Sequence, residues 1–232
     1  FHNKTATHLK SGQNALQESA RNWRIKESLN LIKNLGGGRI ATGHHADDQV
    51  ETLLLKWLRG AHISNLKGME WIKGDFIRPL LNFRKSELKD YLKKNHLKWM
   101  EDKSNQSKTY LRNRIRIELI PLLEKLTRDG LHSRINDLSE QSKTLRELLE
   151  LNSVKWQKKY VSEAHNVLPV KELQESNNLL KQEILYNFIT KSTGISLSYQ
   201  ELKKIFAQLG RRKKFWEIRL SGKWILRKSF CW

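Results

Sequence analysis

The sequence predicts an α/β domain with a parallel sheet, followed by a mainly α-helical domain. In the first half of the 232-residue chain, helical periodicity alternates with short apolar runs that are typical of buried strands. Beyond Pro121 the pattern is almost entirely that of long amphipathic helices. We therefore expect two domains, residues 1–126 and residues 127–232.

The first helix and strand are predicted from a cap, a turn and an apolar run. Asn14 and Gln17 have the spacing of a capping box, and an amphipathic pattern continues to about Leu35. Gly36–Gly38 then supply a turn. Residues 39–43 follow as a short apolar run, which predicts a buried strand.

The strongest helical pattern begins at Asp47. Its apolar residues fit the i, i+3, i+4, i+7, i+8 template and are Val50, Leu53, Leu54, Trp57 and Leu58. A loop-rich segment then leads to residues 76–81, where Pro79 predicts a strand end or an edge strand, because proline has no N–H to donate. Residues 86–95 predict another short helix.

The second domain is predicted to hold several helices and a hairpin. The longest helix has apolar residues at three- and four-residue spacing: Leu131, Ile135, Leu138, Leu145, Leu149 and Trp156. Another carries Leu180, Ile184, Leu185 and Phe188. A further helix begins at the capping box of Ser198 and Glu201 and ends at Gly210. Residues 215–220 and 223–227 flank a Ser-Gly turn, which predicts the hairpin.

Composition favours a polyanionic partner. The formal net charge is +20, so the surface potential attracts nucleic acids. The alternative is that the lysines are ordinary solvated surface groups. The sequence has no apolar run of about 18 residues, which argues against a membrane partner. One cysteine, Cys231, excludes an intrachain disulfide and any site of several thiolates, and favours a cytoplasmic location.

The densest polar cluster lies in ATGHHADDQVET, where a predicted strand ends and the strongest helix begins. Six polar side chains fall within eight positions: His44, His45, Asp47, Asp48, Gln49 and Glu51. This edge of a parallel sheet is where α/β proteins bind ligands, and imidazoles beside carboxylates can hold a metal or move a proton. The alternative is that the acidic residues only cap the helix. Zinc fits less well, since the sequence has neither an H-E-x-x-H pair nor cysteine ligands here.

A second cluster combines acidic and basic residues. Arg112 and Arg116 are four residues apart, so on a helix they share a face and can clamp a phosphate-bearing ligand, with Glu101 and Asp102 to orient them. Arg114 lies between them. The alternative is an ordinary salt-bridged helix end.

The chain resembles the tRNA(Ile)-lysidine synthetase family of the PP-loop ATP pyrophosphatase superfamily in five segments that occur in the same order: ATGHHADDQVETLLLKWLRGA, NLKGME, IRPLLNFRKSEL, WMEDKSNQ and YLRNRIRIELIPLLE. The resemblance is strong over residues 14–126 and beyond them is one of architecture. It implies a Rossmann-like sheet domain of the adenine nucleotide alpha hydrolase type, followed by a helical tRNA-binding domain.

The family's reaction, by this resemblance, is ligation of L-lysine to C2 of the wobble cytidine of tRNA(Ile) with anticodon CAU. The ligase uses ATP and Mg²⁺, forms a carbon–nitrogen bond and releases AMP and pyrophosphate. The resemblance implies catalytic roles for His44, Asp48 and Arg116, with Asp48 as the metal ligand. Cofactor contacts are expected from His45, Asp47 and Glu51. RNA or phosphate contacts are expected from Arg112, Arg114, Arg211, Arg212, Lys213 and Lys214.

One departure from the family is the absence of its Ser-Gly-Gly-x-Asp-Ser phosphate loop. Gly36–Gly38 do not replace it, because they follow a helix and precede a strand, whereas a phosphate loop has the reverse order. Since the chain starts at Phe1 rather than Met, we expect the PP-loop domain to be incomplete here through loss of an N-terminal segment, and the chain as given to be inactive. The resemblance also implies that the family's C-terminal RNA-recognition domain is cut short or absent here.

Two other functions stay open. A different PP-loop tRNA-modifying enzyme, such as a thiolase, usually needs a pair of thiols or a cluster. A noncatalytic RNA-binding remnant would keep the basic helical domain without ATP chemistry. The oligomeric state is also open, with a homodimer as one expectation.

Overall fold

The computed structural model describes residues 5–6, 16–100, 110–128, 130–161, 167–195, 197–210, 215–220 and 224–228. The backbone forms two compact units. Unit 1 contains residues 1–52 and 68–132, and unit 2 contains residues 53–67 and 133–232. The predicted domain boundary after residue 126 stays a prediction.

Unit 1 combines short strands with helices, as an α/β domain should. Its elements are α1 (Leu16–Asn34), β1 (Ile40–Ala41), the start of α2 (Ala46–Leu58), β2 (Ile72–Lys73), β3 (Phe76–Ile77), α3 (Lys85–Lys94), α4 (Leu111–Arg114), a π-helical turn (Ile115–Leu119) and α5 (Ile120–Thr127). The predicted turn after α1 is confirmed, because Gly36, Gly37 and Gly38 have φ values of 81°, 120° and 139°, which side chains rarely allow.

The described sheet of unit 1 is mixed rather than wholly parallel. β1 pairs with β3 in parallel, with Ile40 opposite Phe76, and β2 pairs with β3 antiparallel. The order is β1-β3-β2, so the prediction that residues 76–81 form an edge strand is wrong for the described strands. The predicted strand end is confirmed, since β3 stops at Ile77, two residues before Pro79.

The apolar face predicted for α2 is buried only along its first part. Val50, Leu53 and Leu54 are between 1% and 7% exposed, whereas Trp57 is 64% and Leu58 is 49% exposed. The periodicity predicts the helix, but it does not show which of the apolar residues are covered by other segments.

The loop after α2 is attached to that helix by one side-chain amide. Gln49 donates from Nε2 to the Met69 carbonyl oxygen over 2.9 Å, and the Met69 N–H donates back to Gln49 Oε1 over 2.5 Å. A Cβ placed on Gly68 would lie 2.5 Å from Gln49 Oε1. A Cβ at Gly68 would therefore force the Gln49 amide out of its present position.

Unit 2 is mainly helical and ends in a hairpin. Its elements are the end of α2, a 3₁₀ turn (Ile63–Asn65), most of α6 (Leu131–Tyr160), α7 (Val170–Glu175), α8 (Asn178–Thr193), α9 (Tyr199–Leu209), β4 (Trp216–Arg219) and β5 (Ile225–Lys228). The predicted capping box of Ser198 and Glu201 is present. The predicted hairpin is also present, because β4 and β5 pair antiparallel.

An apolar cluster makes up much of the core in the described part of unit 2. Its buried members are Trp156, Leu173, Ile184, Leu185, Ile189, Leu197, Leu202, Ile205, Leu209 and Trp216. The predicted stripe of α6 is largely buried at Ile135, Leu149 and Trp156, but Leu138 is 38% exposed and does not belong to the core. Within the described residues, no helix has the length and apolarity to cross a bilayer.

Substituting Gly68 by Ala tests the Gln49 attachment. The new Cβ would displace the Gln49 amide from both Met69 groups. We expect the free energy of unfolding to fall by about 1–3 kcal/mol. Gly43→Ala is the control, since a Cβ there has no atom within 4 Å and its backbone φ is not positive. Equal stability of the two variants in urea titrations would contradict the attachment.

Candidate active site

The site is built where β1 ends and α2 begins. His45 directly precedes α2, and its backbone N–H donates to Asp48 Oδ2 over 3.0 Å. This is the contact by which an acidic side chain in the first turn caps a helix. The capping role considered for the acidic residues is thus present at Asp48. Capping uses only one of its oxygens, and Asp48 Oδ1 faces two arginines.

A fully buried carboxylate holds those arginines. The Glu51 side chain has 0% exposure, and its Oε2 accepts from Arg112 Nε over 2.9 Å and from Arg116 Nη2 over 3.0 Å. Arg116 Nε also donates to Glu51 Oε1. Asp48 Oδ1 adds contacts of 3.4 Å to Arg112 and 3.6 Å to Arg116. Removing one partner of such a buried group leaves an uncompensated charge, which destabilises a protein by about 3–5 kcal/mol.

The arginines come from a helix that changes its winding. α4 leads into the π-helical turn Ile115–Leu119, which carries Arg116 and is followed by Pro121 near the start of α5. Proline lacks an N–H and disturbs the preceding turn, and π turns occur often at functional sites. The predicted shared face of Arg112 and Arg116 is confirmed, because both reach Glu51.

Arg114 does not join this cluster. Its side chain is 60% exposed and its Nε lies 3.4 Å from Glu118 Oε2 in the same helical segment. The residues predicted to orient the arginines, Glu101 and Asp102, lie outside the described residues. Within those residues Glu51 and Asp48 take that role.

A second charge network surrounds Asp47. Asp47 Oδ2 accepts from the Lys85 backbone N–H over 2.7 Å and lies 3.3 Å from His45 Nδ1. Its Oδ1 lies 3.4 Å from His132 Nε2, and His132 Nδ1 lies 2.6 Å from Glu124 Oε1. Asp47 therefore joins the starts of α2 and α3, and His132 joins Asp47 to α5.

The pKa values of this network follow from its contacts. Burial opposes ionisation of Asp47, but the contacts with His132, His45 and the Lys85 N–H outweigh it and hold the Asp47 pKa well below its ordinary value. The contact with Asp47, with a smaller addition from Glu124, raises the pKa of His132 against the effect of burial. These contacts favour the ionised carboxylate of Asp47 and the protonated imidazole of His132.

His44 has the opposite character. Its Nδ1 lies 2.9 Å from Thr42 Oγ1, and Thr42 Oγ1 donates to the Ile77 carbonyl oxygen over 3.4 Å. Burial lowers the pKa of His44, and Arg78, Arg112 and Arg21 add to this effect although Asp48 opposes it. His44 is consequently neutral at pH 7 and can accept a proton or a hydrogen bond.

His44 opens onto a cavity of about 990 Å³ in unit 1. Five basic side chains line it, against the single carboxylate of Asp75 among the described residues. The basic residues are Arg21, Arg24, Lys73, Arg78 and Arg112. Its volume lies at the upper end of small-ligand pockets, about 300–1,000 Å³. The excess of positive charge suits a polyanionic ligand such as a nucleoside triphosphate.

The structure brings together most of the residues that the sequence singled out. His45, Asp47, Asp48, Glu51, Arg112 and Arg116 form one continuous set of polar contacts. Arg114 lies apart, and Arg211, Arg212, Lys213 and Lys214 lie outside the described residues. The roles assigned to all of them in ligand binding remain predictions.

Several site residues were missed from the sequence. Arg21 and Arg24 lie in an amphipathic helix like many others, and Arg78 follows a short strand. His132 lies at the start of a long helix with no local motif. Only Arg78 had a signal, its position in the IRPLLNFRKSEL segment.

Metal binding has one protein candidate in this geometry. Within the described residues, no group of three or more His, Cys, Asp or Glu side chains is arranged to hold a metal ion. Mg²⁺ in nucleotide sites usually takes one or two carboxylates and completes its shell with phosphate oxygens and water. Asp48 fits such a role, since it lies beside the cavity-lining Arg112.

Proton titration of the two histidines tests the described electrostatics. We expect NMR to place the pKa of His132 above 6.5 and that of His44 below 6.5, with His132→Gln and His44→Gln assigning the signals. The stabilisation by His132 should be complete below pH 6.5 and lost as the pH rises through its folded pKa. The stabilisation by neutral His44 should be complete above pH 6.5 and lost as the pH falls from 6.5 to the folded pKa of His44. If both histidines titrate near pH 6.5, the described surroundings of His132 and of His44 are contradicted.

Comparison with known proteins shows the family of this chain. The family model described as "PP-loop domain" matches residues 1–123. A tRNA(Ile)-lysidine synthase of Chlorobaculum tepidum is 36% identical over 148 residues, covering 64% of this chain and 45% of the relative. That of Enterococcus faecalis is 28% identical over 95% of this chain and 50% of the relative.

A third relative, the tRNA(Ile)-lysidine synthase of Chlamydia pneumoniae, is 32% identical over 89% of this chain and 66% of its own length. The chain thus spans about half to two thirds of these three curated relatives. The family match covers more than half of the chain. It includes the Glu51 network, which consists of Glu51, Asp48, Arg112 and Arg116. The chain therefore belongs to the PP-loop family.

Proposed function

We propose that the protein to which this chain belongs ligates L-lysine to C2 of the wobble cytidine of tRNA(Ile) with anticodon CAU. The reaction consumes ATP and releases AMP and pyrophosphate. The observation that carries the proposal is the Glu51 network, which fixes two arginines beside a basic cavity in a PP-loop chain. The names of the relatives, all tRNA(Ile)-lysidine synthases, support the substrate.

The cavity suits the polyphosphate of ATP. Arg21, Arg24 and Arg78 line it together with Arg112, whose orientation Glu51 fixes. Phosphoryl and nucleotidyl transfer depend mainly on positioning and on stabilising phosphate charge. We assign Arg112 to phosphate binding for that reason. Bound Mg²⁺ would offset phosphate charge, with Asp48 as its protein ligand.

We assign Arg116 to the reacting base. It is held by both Glu51 and Asp48, and its pKa is raised by the hydrogen bond with Glu51 despite the effect of burial, so it is a permanent cation. A guanidinium fixed in this way can meet the oxygen of C2 or the phosphate attached to it as charge develops. Its 31% side-chain exposure leaves it accessible to a ligand.

His44 and Asp48 are assigned to the lysine step. The amine of lysine is protonated at neutral pH and must lose a proton before it attacks. The neutral imidazole of His44 can take that proton, and the Asp48 carboxylate can attract the ammonium group. ATP first transfers its AMP group to the C2 oxygen of the cytosine and releases pyrophosphate. As the nitrogen–C2 bond then forms, the bond from C2 to that oxygen breaks, and AMP leaves with the oxygen and the electron pair.

His45 and Asp47 act indirectly in this proposal. His45 lies between the two aspartates, 3.3 Å from Asp47 and 3.6 Å from Asp48. Asp47 is held by Lys85 and His132. We therefore assign to both residues the role of holding the side chains of the cofactor site in position. A cytoplasmic location and a homodimer are further expectations of the proposed function.

The absent phosphate loop gives the first test. The 232-residue chain should give no lysine incorporation into a tRNA(Ile) transcript, because its sequence lacks the amides that cradle phosphates. A version that carries a Ser-Gly-Gly-x-Asp-Ser loop and its strand ahead of Phe1 should incorporate radiolabelled lysine. Turnover by the chain alone would show that the loop is dispensable. A folded, loop-containing protein without turnover would contradict the proposed reaction.

Glu51→Gln in the loop-containing version tests the network. The amide cannot neutralise two guanidiniums, so Arg112 and Arg116 should lose their fixed positions. We expect ATP–pyrophosphate exchange to fall by about 100-fold or more. Arg134→Lys, on an exposed part of α6, is the control and should keep its rate within about twofold. Normal exchange in a folded Glu51→Gln variant would show that the network is only structural.

A further inference from the structure

A cavity of about 310 Å³ in unit 2 has features that the proposed reaction does not use. It lies against the β4–β5 hairpin, and most of the described residues that line it are apolar or aromatic. They include Phe188, Leu209, Trp216, Leu220 and Trp224. Its volume is about that of a small-ligand pocket. The cavity offers room for one flat ring system between aromatic walls.

One buried donor in the wall of this cavity has no acceptor. Trp216 is only 8% exposed, and its indole Nε1 is buried without a hydrogen-bond partner. Buried N–H groups normally have partners, and an unsatisfied one costs about 1–3 kcal/mol. Trp216 lines the cavity, but its Nε1 is itself buried, so an acceptor atom on a bound ligand satisfies this group once the indole turns toward the cavity.

A lysine lies on the same face of the hairpin as Trp216. Trp216 and Lys228 are directly opposed across the β4–β5 ladder, and opposed residues point to the same face of a sheet. Lys228 also lines the cavity. The ligand that fits is therefore flat, carries a hydrogen-bond acceptor on its ring and bears a negative charge outside it.

We propose that this cavity binds one unpaired nucleotide of an RNA. The base would stack among the aromatic walls and accept from Trp216 Nε1, and its phosphate would lie near Lys228. A nucleotide combines all three required features, and the formal net charge of +20 favours a polyanion as its source. The proposal rests on the proposed function, because tRNA is the RNA that it names.

The neighbouring surface of the hairpin is consistent with an RNA partner. Phe215 is 58% exposed, and the Arg227 guanidinium lies 5.9 Å from the centre of its ring. Exposed aromatic rings beside cations are the usual stacking platforms of single-stranded RNA binding.

NMR of the 232-residue chain tests the cavity directly. The indole N–H signal of Trp216 is assigned by its absence from Trp216→Phe, a change that keeps an aromatic ring and removes the donor. We expect this signal to shift when a tRNA transcript with a CAU anticodon is added. A blunt-ended RNA duplex with a similar number of phosphates should leave the signal unchanged, because its bases are paired and stacked.

Binding measurements supply an independent arm. Trp216→Phe and Lys228→Gln should each raise the Kd for the tRNA about threefold to tenfold, the effect of one net hydrogen bond or phosphate contact. Lys143→Gln, an exposed lysine on α6, is the matched control for charge and should change the Kd by less than about twofold. If Trp216→Phe does not fold, the Kd of Lys228→Gln decides.

The outcomes separate this proposal from the proposed function. Binding of tRNA with an unmoved Trp216 signal and unchanged Kd values would overturn the nucleotide site while leaving tRNA as the substrate. An equal shift with the duplex would overturn it in favour of a phosphate contact on the surface. Failure of the folded chain to bind tRNA at all would overturn both proposals.

Discussion

The described site depends on one buried carboxylate. Glu51 has a side chain with no exposure to water, and it is tolerable there only because two guanidiniums share its charge. The same contacts fix the directions of Arg112 and Arg116, which come from a segment more than sixty positions away in sequence. Without Glu51, the connection of α2 to the arginines would rest on the longer contacts of Asp48 Oδ1, 3.4 Å to Arg112 and 3.6 Å to Arg116. The electrostatic arrangement of the candidate site follows from this pairing.

The neighbouring carboxylates are used differently because their surroundings differ. Asp48 caps α2 with one oxygen and faces the arginines with the other. Asp47 faces away from the arginines toward Lys85 and His132 and is held ionised there. Consecutive residues on a helix point about 100° apart, so adjacent aspartates necessarily enter different environments. The sequence cluster therefore contains a catalytic candidate and a positioning group side by side.

Local patterns predicted elements well and their boundaries or partners less well. The glycine turn, the start of α2, the arginine pair and the hairpin all follow from short-range rules that involve neighbouring residues. The position of β3 between two strands, the exposure of Trp57 and the contact of His132 with Asp47 depend on which distant segments pack together. Periodicity carries no information on such packing, which is why these features were wrong or missed. The arginines of α1 were missed for the same reason, since a basic residue facing a cavity looks like one facing solvent.

In the proposed function, Glu51 holds Arg116 in place for the chemical step rather than for tRNA binding. The most direct measurement is the single-turnover rate of Arg116→Lys in the loop-containing protein at saturating tRNA, beside its Kd for the same tRNA. Lysine keeps the charge but cannot reproduce the paired contacts of the guanidinium with Glu51. We expect a single-turnover rate lower by about 100-fold with a nearly unchanged Kd, because an interaction made in the transition state appears in the chemical step. A normal single-turnover rate with weakened tRNA binding would contradict it and make Arg116 an ordinary phosphate contact.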